Sequence, residues 1–73
     1  MSTTILTRKN DNPEWGTDRI EITINGEEIT ERFTVDGISD TNISGFSHDL
    51  EAEEYLRCRR MELINDGYEE TVD

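Results

Sequence analysis

The sequence predicts a small α+β domain, in which a β-hairpin, with a possible third strand, packs on one C-terminal helix between flexible termini. Isoleucines alternate with polar residues over 20–24, a period of two that is typical of a half-buried strand. Residues 49–66, DLEAEEYLRCRRMELIND, predict the helix, because acidic residues begin it and arginines follow. A length of 73 residues allows one small domain.

The two ends of the chain lack sustained periodicity. We expect a flexible arm over 1–17, which contains Asn-Pro and Trp-Gly, a folded domain over 18–67, and a flexible tail over 68–73. Tyr68 could pack back on the domain. Trp15 has two interpretations: it covers one edge of a small core, or it is an exposed aromatic anchor for a partner.

The hairpin lies over residues 18–37. Its first strand carries three isoleucines on one face: Ile20, Ile22 and Ile24. Asn25-Gly26 predicts a two-residue turn, because both residues tolerate positive φ. The second strand continues the apolar face with Ile29, Phe33 and Val35. A two-residue turn would pair Ile22 with Ile29 and a four-residue turn would pair Ile24 with Ile29; both registers keep the apolar sides together.

The connector DTNISGFSHDLE, residues 40–51, has the spacing of an EF-hand calcium loop. Its candidate ligands are Asp40, Asn42, Ser44, the Phe46 carbonyl and Glu51, with Gly45 at the sharp turn. Ser47 stands where EF-hands place an aliphatic residue, a strand-like segment precedes the loop, and no second loop follows. We therefore interpret the connector mainly as a polar turn, with Ser47 or Asp49 as the helix cap, and keep a calcium-binding module as an alternative function.

The helix is apolar on two sides. One stripe contains Ala52, Tyr55, Leu56 and Leu63 and is interrupted by Arg59. A second group of apolar residues lies largely opposite: Leu50, Cys58, Met61 and Ile64. The arm and tail could cover this second side, or it could bind a second copy or another protein. Gly67 is expected to stop the helix.

The formal net charge is −11, from 18 acidic and seven basic residues. Such a surface repels nucleic acids and anionic membranes and attracts basic proteins. The same acidity could also serve solubility alone or reflect a halophilic origin. One cysteine, no signal peptide and no long apolar run predict a cytoplasmic protein.

No pattern indicates catalysis. His48 is the only histidine and Cys58 the only cysteine, too few for a structural zinc site, and phosphate-binding and dinucleotide-binding loops are absent from the sequence. We therefore expect no enzymatic activity, no catalytic residue, no metal site and no cofactor.

Six residues are the candidate partner-binding site: Trp15, Glu51, Glu54, Arg57, Arg59 and Arg60. The arginines could instead pair within the helix with Glu53, Glu54 and Glu62. In size, acidity and lack of motifs the chain resembles the small host-takeover proteins of lytic phages, which include an RNA-polymerase-binding transcription regulator of a Xanthomonas phage.

That resemblance implies a non-enzymatic regulator that binds a host RNA polymerase subunit and inhibits or redirects transcription. From the net charge we expect no direct contact with nucleic acid or membrane. The resemblance assigns no functional residues. A DNA mimic that blocks a nuclease, a repair enzyme or a CRISPR effector is the alternative. We expect a monomer or a weak homodimer.

Overall fold

The computed structural model describes residues 2–71. Five strands and one helix follow one another along the chain: β1 (Ser2–Lys9), β2 (Thr17–Asn25), β3 (Glu28–Val35), β4 (Ile38–Gly45), α1 (Asp49–Asn65) and β5 (Glu69–Thr71). The strands form one antiparallel sheet in the order β4-β3-β2-β1-β5. The predicted α+β class, a hairpin packed on one C-terminal helix, is confirmed.

The chain builds the sheet as a four-stranded meander and then crosses it. The helix leaves the β4 edge, lies across one face and delivers β5 to the opposite edge beside β1. It packs chiefly against β2, β3 and β5. The other face of the sheet has no covering layer among residues 2–71, and we call it the open face.

The β2–β3 hairpin has the register that pairs Ile24 with Ile29. Asn25 pairs with Glu28, so the two turn residues are Gly26 and Glu27, one position later than Asn25-Gly26. Gly26 has a φ of 62°, and glycine with positive φ at the first turn position is typical of a type II′ turn. The predicted hairpin is therefore correct, with its turn displaced by one residue.

The possible third strand is β4, and a second tight turn connects it to β3. Val35 pairs with Ile38 across Asp36 and Gly37, whose φ angles are 53° and 75°. Positive φ at both positions is typical of a type I′ turn, for which Asp-Gly is a preferred sequence. β4 continues to Gly45, so the connector predicted at 40–51 is half strand and half helix start.

Both terminal segments contribute strands, where the sequence predicts a flexible arm over 1–17 and a flexible tail over 68–73. Ser2–Lys9 form β1, an interior strand, and 69–71 form β5. β1 is rich in β-branched residues, and only Leu6 in it is fully buried, so period-two alternation is weak there. Residues 72 and 73 of the predicted tail lie outside the described residues.

The core lies between the helix and one face of the sheet. Its buried apolar members are Leu6, Ile20, Ile22, Ile29, Ala52, Leu63 and Tyr68. The helix therefore buries the stripe predicted for it, with Tyr55 and Leu56 half-buried at its margins. The sheet contributes four of these residues, one leucine and three isoleucines. Full burial of each stabilises the fold by roughly 1.5–3 kcal/mol.

The two ends of the helix differ in how their terminal backbone N–H and C=O groups are hydrogen-bonded. His48 is the N-cap and makes no side-chain capping hydrogen bond, which corrects the predicted cap at Ser47 or Asp49. At the other end Gly67 has a φ of 97°, its N–H donates to Ile64, and the Tyr68 N–H donates to Leu63. These two bonds form a Schellman motif, which confirms the predicted stop and turns the buried Tyr68 back toward β1.

A buried carboxylate at the start of β2 ties distant segments together. Asp18 is 1% exposed. Its oxygens accept hydrogen bonds from the Arg8 guanidinium at 3.1 Å, the Asn10 amide at 2.9 Å and the Asp36 backbone N–H at 3.1 Å. We call this group the Asp18 clamp. It fixes β1, the loop after it and the β3–β4 turn to one another.

Arg8 extends the clamp to the end of the helix. Its second guanidinium nitrogen donates to the Asp66 carbonyl at 3.0 Å, and the guanidinium lies 4.5 Å from the centre of the Tyr68 ring. The amide of Asn10 above all, together with Asp36 and Arg8, outweighs burial and lowers the pKa of Asp18. The hydrogen bond to Asp18 likewise raises the pKa of Arg8.

Replacing Asp18 by Asn tests the clamp. Asp18→Asn keeps the shape of the side chain but removes the charge and leaves donors without an acceptor, so the free energy of unfolding should fall by about 1–3 kcal/mol. Urea denaturation gives the value. Asp11→Asn, which removes a charge from an exposed loop, is the matched control and should change stability little. Equal effects of the two substitutions would contradict the role of the clamp.

The same carboxylate predicts a dependence on pH. Because the folded pKa of Asp18 lies below its unfolded value of about 3.9, its contribution to stability is complete above that value. The contribution is lost as the pH falls through the folded pKa. The stability difference between the wild type and Asp18→Asn should therefore be constant near neutrality and shrink below about pH 4. A difference that is unchanged in acid would contradict this assignment.

Candidate protein-binding surface

Six exposed carboxylates gather at one end of the molecule. The Phe46 N–H donates to the Glu27 carbonyl at 2.8 Å, which brings the start of the helix to the β2–β3 turn. The turn supplies one carboxylate, the first residue of β3 supplies another, and the first six helical residues supply four. We call this group the acidic pole: Glu27, Glu28, Asp49, Glu51, Glu53 and Glu54.

The acidic pole carries about half of the net charge of the chain. Its six carboxylates contribute a charge of about −6 to a formal net charge of −11. Arg57 is the first arginine that follows them along the helix. Arg57 pairs with Glu54 at 3.7 Å, and both side chains are about two-thirds exposed. An exposed pair of this kind contributes little to stability, so both residues remain available to a partner.

The open face of the sheet has a different character. Threonines dominate it and form two cross-strand hydroxyl pairs, Thr3 with Thr23 and Thr34 with Ser39. Charges of both signs are mixed here, as in the pair between Arg19 and Glu21 at 3.4 Å. A partner that is attracted by negative charge is therefore directed to the acidic pole and away from the open face.

The helix itself gains from the acidic pole. Asp49 and Glu51 lie in the first turn, where the positive end of the helix dipole favours carboxylates by roughly 0.3–1 kcal/mol each. The last turn contains no basic residue, so the arginines that follow the acidic residues lie in the middle of the helix. Part of the acidity thus has a structural cause.

The predicted partner-binding arginines have different surroundings. Arg59 is about one-third exposed and reaches across to Glu31 of β3, with its Nε 3.3 Å from Oε1, while it also pairs with Glu62 at 3.3 Å. Arg60 lies 3.5 Å from Glu70 of β5. These two arginines connect the helix to the sheet, whereas Arg57 points to solvent.

Arg59 interrupts the apolar stripe because a carboxylate lies beneath it. Glu31 is 8% exposed and also accepts a hydrogen bond from the Tyr55 hydroxyl at 3.2 Å. Burial, with the adjacent Glu31 carboxylate, raises the pKa of Tyr55. Burial opposes the charge of Arg59, but Glu31 and Glu62 outweigh it and its pKa is raised.

Trp15 lies far from the acidic pole. Its indole packs on Gly37 in the β3–β4 turn, where an added Cβ would lie 3.1 Å from the ring. The β2–β3 turn is at the other end of β3, roughly 24 Å away for an eight-residue strand. Trp15 is 45% exposed and covers a turn and not the core cluster. The structure therefore separates Trp15 from Glu51, Glu54 and Arg57, and its role as an anchor stays a prediction.

The second apolar side of the helix faces solvent. Leu50 is 72% exposed, Met61 58% and Ile64 46%, and Cys58 is an exposed free thiol. The described parts of the terminal segments do not cover them, because β1 (Ser2–Lys9) and β5 (Glu69–Thr71) are strands of the sheet. These residues alternate with Glu54 and Arg57 along the outward helix face.

A cleft of about 400 Å³ opens beside the helix, where the helix leaves β4 uncovered. Its apolar lining is Ile20, Phe33, Val35 and Leu63. Arg8 and Arg59 lie at its polar margin, but both are held by carboxylates of the protein itself.

The residues of the EF-hand pattern do not form a cation loop. Asp40, Asn42 and Ser44 lie along β4, so Asp40 and Ser44 are about 13 Å apart at an extended rise of about 3.3 Å per residue. A calcium ion needs all its ligands within 2.3–2.6 Å. Over residues 2–71 no group of three or more His, Cys, Asp or Glu side chains is arranged to hold a metal.

The described part of the chain contains no helix with the length and apolarity needed to cross a bilayer.

Comparison of the chain with protein-family models, with curated protein sequences and with solved structures gives no significant match.

The different surroundings of the arginines predict different effects of mutation. Arg59→Ala leaves the Glu31 carboxylate under the helix without its cation and should lower the free energy of unfolding by about 1–2 kcal/mol. Arg57→Ala breaks only an exposed pair and should cost less than about 0.5 kcal/mol. Chemical denaturation of both variants gives the two free energies of unfolding to be compared. A loss for Arg57→Ala as large as for Arg59→Ala would show that the contact with Glu31 is unimportant.

Proposed function

We propose that this protein is a non-enzymatic regulator that binds a basic surface of another protein through its acidic pole. A bacterial RNA polymerase subunit is the first partner to test, as the resemblance to phage host-takeover proteins implies. The observation that carries the proposal is the concentration of carboxylates at the helix start and the β2–β3 turn.

Electrostatics supports this mode of binding. A dense group of negative charges attracts a positively charged surface over about a Debye length, which is near 8 Å at physiological salt. This attraction raises the rate of association. Proteins that hold nucleic acid present such basic surfaces. Within residues 2–71, Glu51, Glu53 and Glu54 make no ion pair that would neutralise the group, apart from the exposed pair of Glu54 with Arg57.

The binding surface in this proposal is narrower than the six residues predicted from the sequence. Glu51, Glu54 and Arg57 belong to it. Arg59 and Arg60 act through the stability of the helix, because their partners are Glu31 and Glu70 of the sheet. Four residues are added: Glu27 of the β2–β3 turn, Glu28 at the start of β3, and Asp49 and Glu53 of the helix.

The test compares two charge-matched variants. Glu51→Gln, Glu53→Gln and Glu54→Gln together remove three charges from the acidic pole. The control variant combines Asp11→Asn, Glu14→Gln and Glu69→Gln, three exposed positions outside the pole whose carboxylates make no hydrogen bond or ion pair within residues 2–71. Purified bacterial RNA polymerase is the probe, with binding measured by biolayer interferometry and function by promoter-dependent transcription.

The pole variant should bind at least about tenfold more weakly than the wild type, which corresponds to about 1.4 kcal/mol, and should lose inhibition, while the control stays within about twofold. Wild-type affinity should fall as salt rises. No binding at low salt would remove RNA polymerase as the partner. Binding to a nuclease in competition with DNA would favour the DNA-mimic alternative, and equal losses in both variants would refute the acidic pole as the site.

A further inference from the structure

The outer edge of β4 is a long strand edge that no strand within residues 2–71 covers. β4 has eight residues, and in this part of the chain it pairs with β3 alone. β5, at the other edge of the sheet, has three. An uncovered edge presents a row of backbone N–H and C=O groups that can add a further strand.

The hairpin register shows which backbone groups face outward. Val35 and Ile38 flank a two-residue turn and form the first hydrogen-bonded pair, and such pairs alternate along an antiparallel ladder. The bond from the Phe46 N–H to the Glu27 carbonyl fits the same alternation beyond the strand. The groups directed away from β3 therefore belong to Ser39, Thr41, Ile43 and Gly45.

β4 has little of the protection that natural edge strands carry. It contains no proline, lysine or arginine, and its one charged residue is Asp40. Asp40 occupies one outward group, because its carboxylate accepts from the Thr41 N–H at 2.8 Å. Two large apolar residues on this strand face solvent: Ile38 is 66% and Ile43 67% exposed.

We propose that the occupant of this edge is the β4 strand of a second copy, paired antiparallel about Asn42. In this register the Thr41 N–H exchanges its bond to the Asp40 carboxylate for one to the carbonyl of the partner's Ile43, so Thr41 and the partner's Ile43 form a hydrogen-bonded pair. Ser39 forms the next such pair with the partner's Gly45. Asn42 lies opposite the partner's Asn42. The two five-stranded sheets then join into one sheet of ten strands.

Side-chain and charge patterns favour a second copy in this register. Asp40 lies opposite the partner's Ser44, so no two carboxylates face each other, and Ile38 lies opposite the partner's Phe46. With a net charge of −11 on each chain, β4 is the edge with the least charge to bring together. The antiparallel arrangement also places the two acidic poles at opposite ends of the shared strand pair.

The dimer leaves the acidic pole exposed, and its salt dependence has the opposite sign from that of partner binding. Screening weakens the repulsion between two acidic chains, so added salt should strengthen the dimer. The same salt should weaken the attraction between the acidic pole and a basic protein. The two interactions can therefore be distinguished in the same protein.

Sedimentation equilibrium over a range of protein and salt concentrations tests the proposal. Ile43→Lys places a charge on the pairing edge, at a side chain exposed enough to leave folding intact, and Leu50→Lys makes the same charge change on the exposed helix face. Ile43→Lys should weaken dimerisation at least about tenfold, and Leu50→Lys should leave it within about twofold. Circular dichroism checks that both variants are folded.

Three results would overturn the proposal. They are a wild type that is monomeric at every concentration, a dimer that Ile43→Lys leaves intact, and a dimer that only Leu50→Lys weakens, which would place the interface on the helix.

Cross-linking tests the register. In a Cys58→Ser background, Asn42→Cys places two thiols in a non-hydrogen-bonded pair with Cα atoms about 4.5 Å apart, within disulfide range. Asp40→Cys is the control, because its two copies are offset by four residues, about 13 Å. Mild oxidation should link Asn42→Cys into covalent dimers much faster than Asp40→Cys. Equal or reversed rates would refute pairing about Asn42.

Discussion

The Asp18 carboxylate holds the fold together, because among residues 2–71 it is the one buried polar group that joins four parts of the chain. It lies at the start of β2 and accepts from Arg8 in β1, from Asn10 in the following loop and from the backbone of Asp36 in the β3–β4 turn. Arg8 also donates a hydrogen bond to the Asp66 carbonyl at the end of the helix. In such a network the bonds polarise one another, and losing one member weakens the rest.

A very acidic chain uses its carboxylates in two ways. Asp18 and Glu31 are buried and accept hydrogen bonds from neighbouring groups, one at the end of the sheet and one beneath the helix. The exposed majority carry the net charge, and the acidic pole concentrates it. The buried pair ties the helix to the sheet through Arg8 and Arg59. The bond from the Phe46 N–H to the Glu27 carbonyl brings the first turn of the helix to the β2–β3 turn. The surface proposed for binding thus depends on both sets of contacts.

Sequence patterns predicted the elements whose signal is local. Ile20, Ile22 and Ile24 identify β2, and the helical stripe and the Gly67 stop are correct. The interior strand β1 was missed, because one buried residue, Leu6, gives no alternation to detect. The sequence predicts β4 only as a possible strand, although Asp36-Gly37 is a strong hairpin signal. The reason is that residues 40–45 of β4 also match the first half of the EF-hand spacing. The acidic pole and the bond of Arg59 to Glu31 need long-range docking, which no local pattern contains.

The order of the strands has a consequence for how the chain closes. β1 to β4 are neighbours in sequence as well as in the sheet, and two of their three connections are two-residue turns, so each pairing closes a short loop at low entropic cost. The pairing of β5 with β1 joins the two ends of the chain and encloses nearly everything else. It is also only three residues long. The least expensive opening of the native sheet is therefore the release of β5, which would uncover a second free edge along β1 while the meander stays intact.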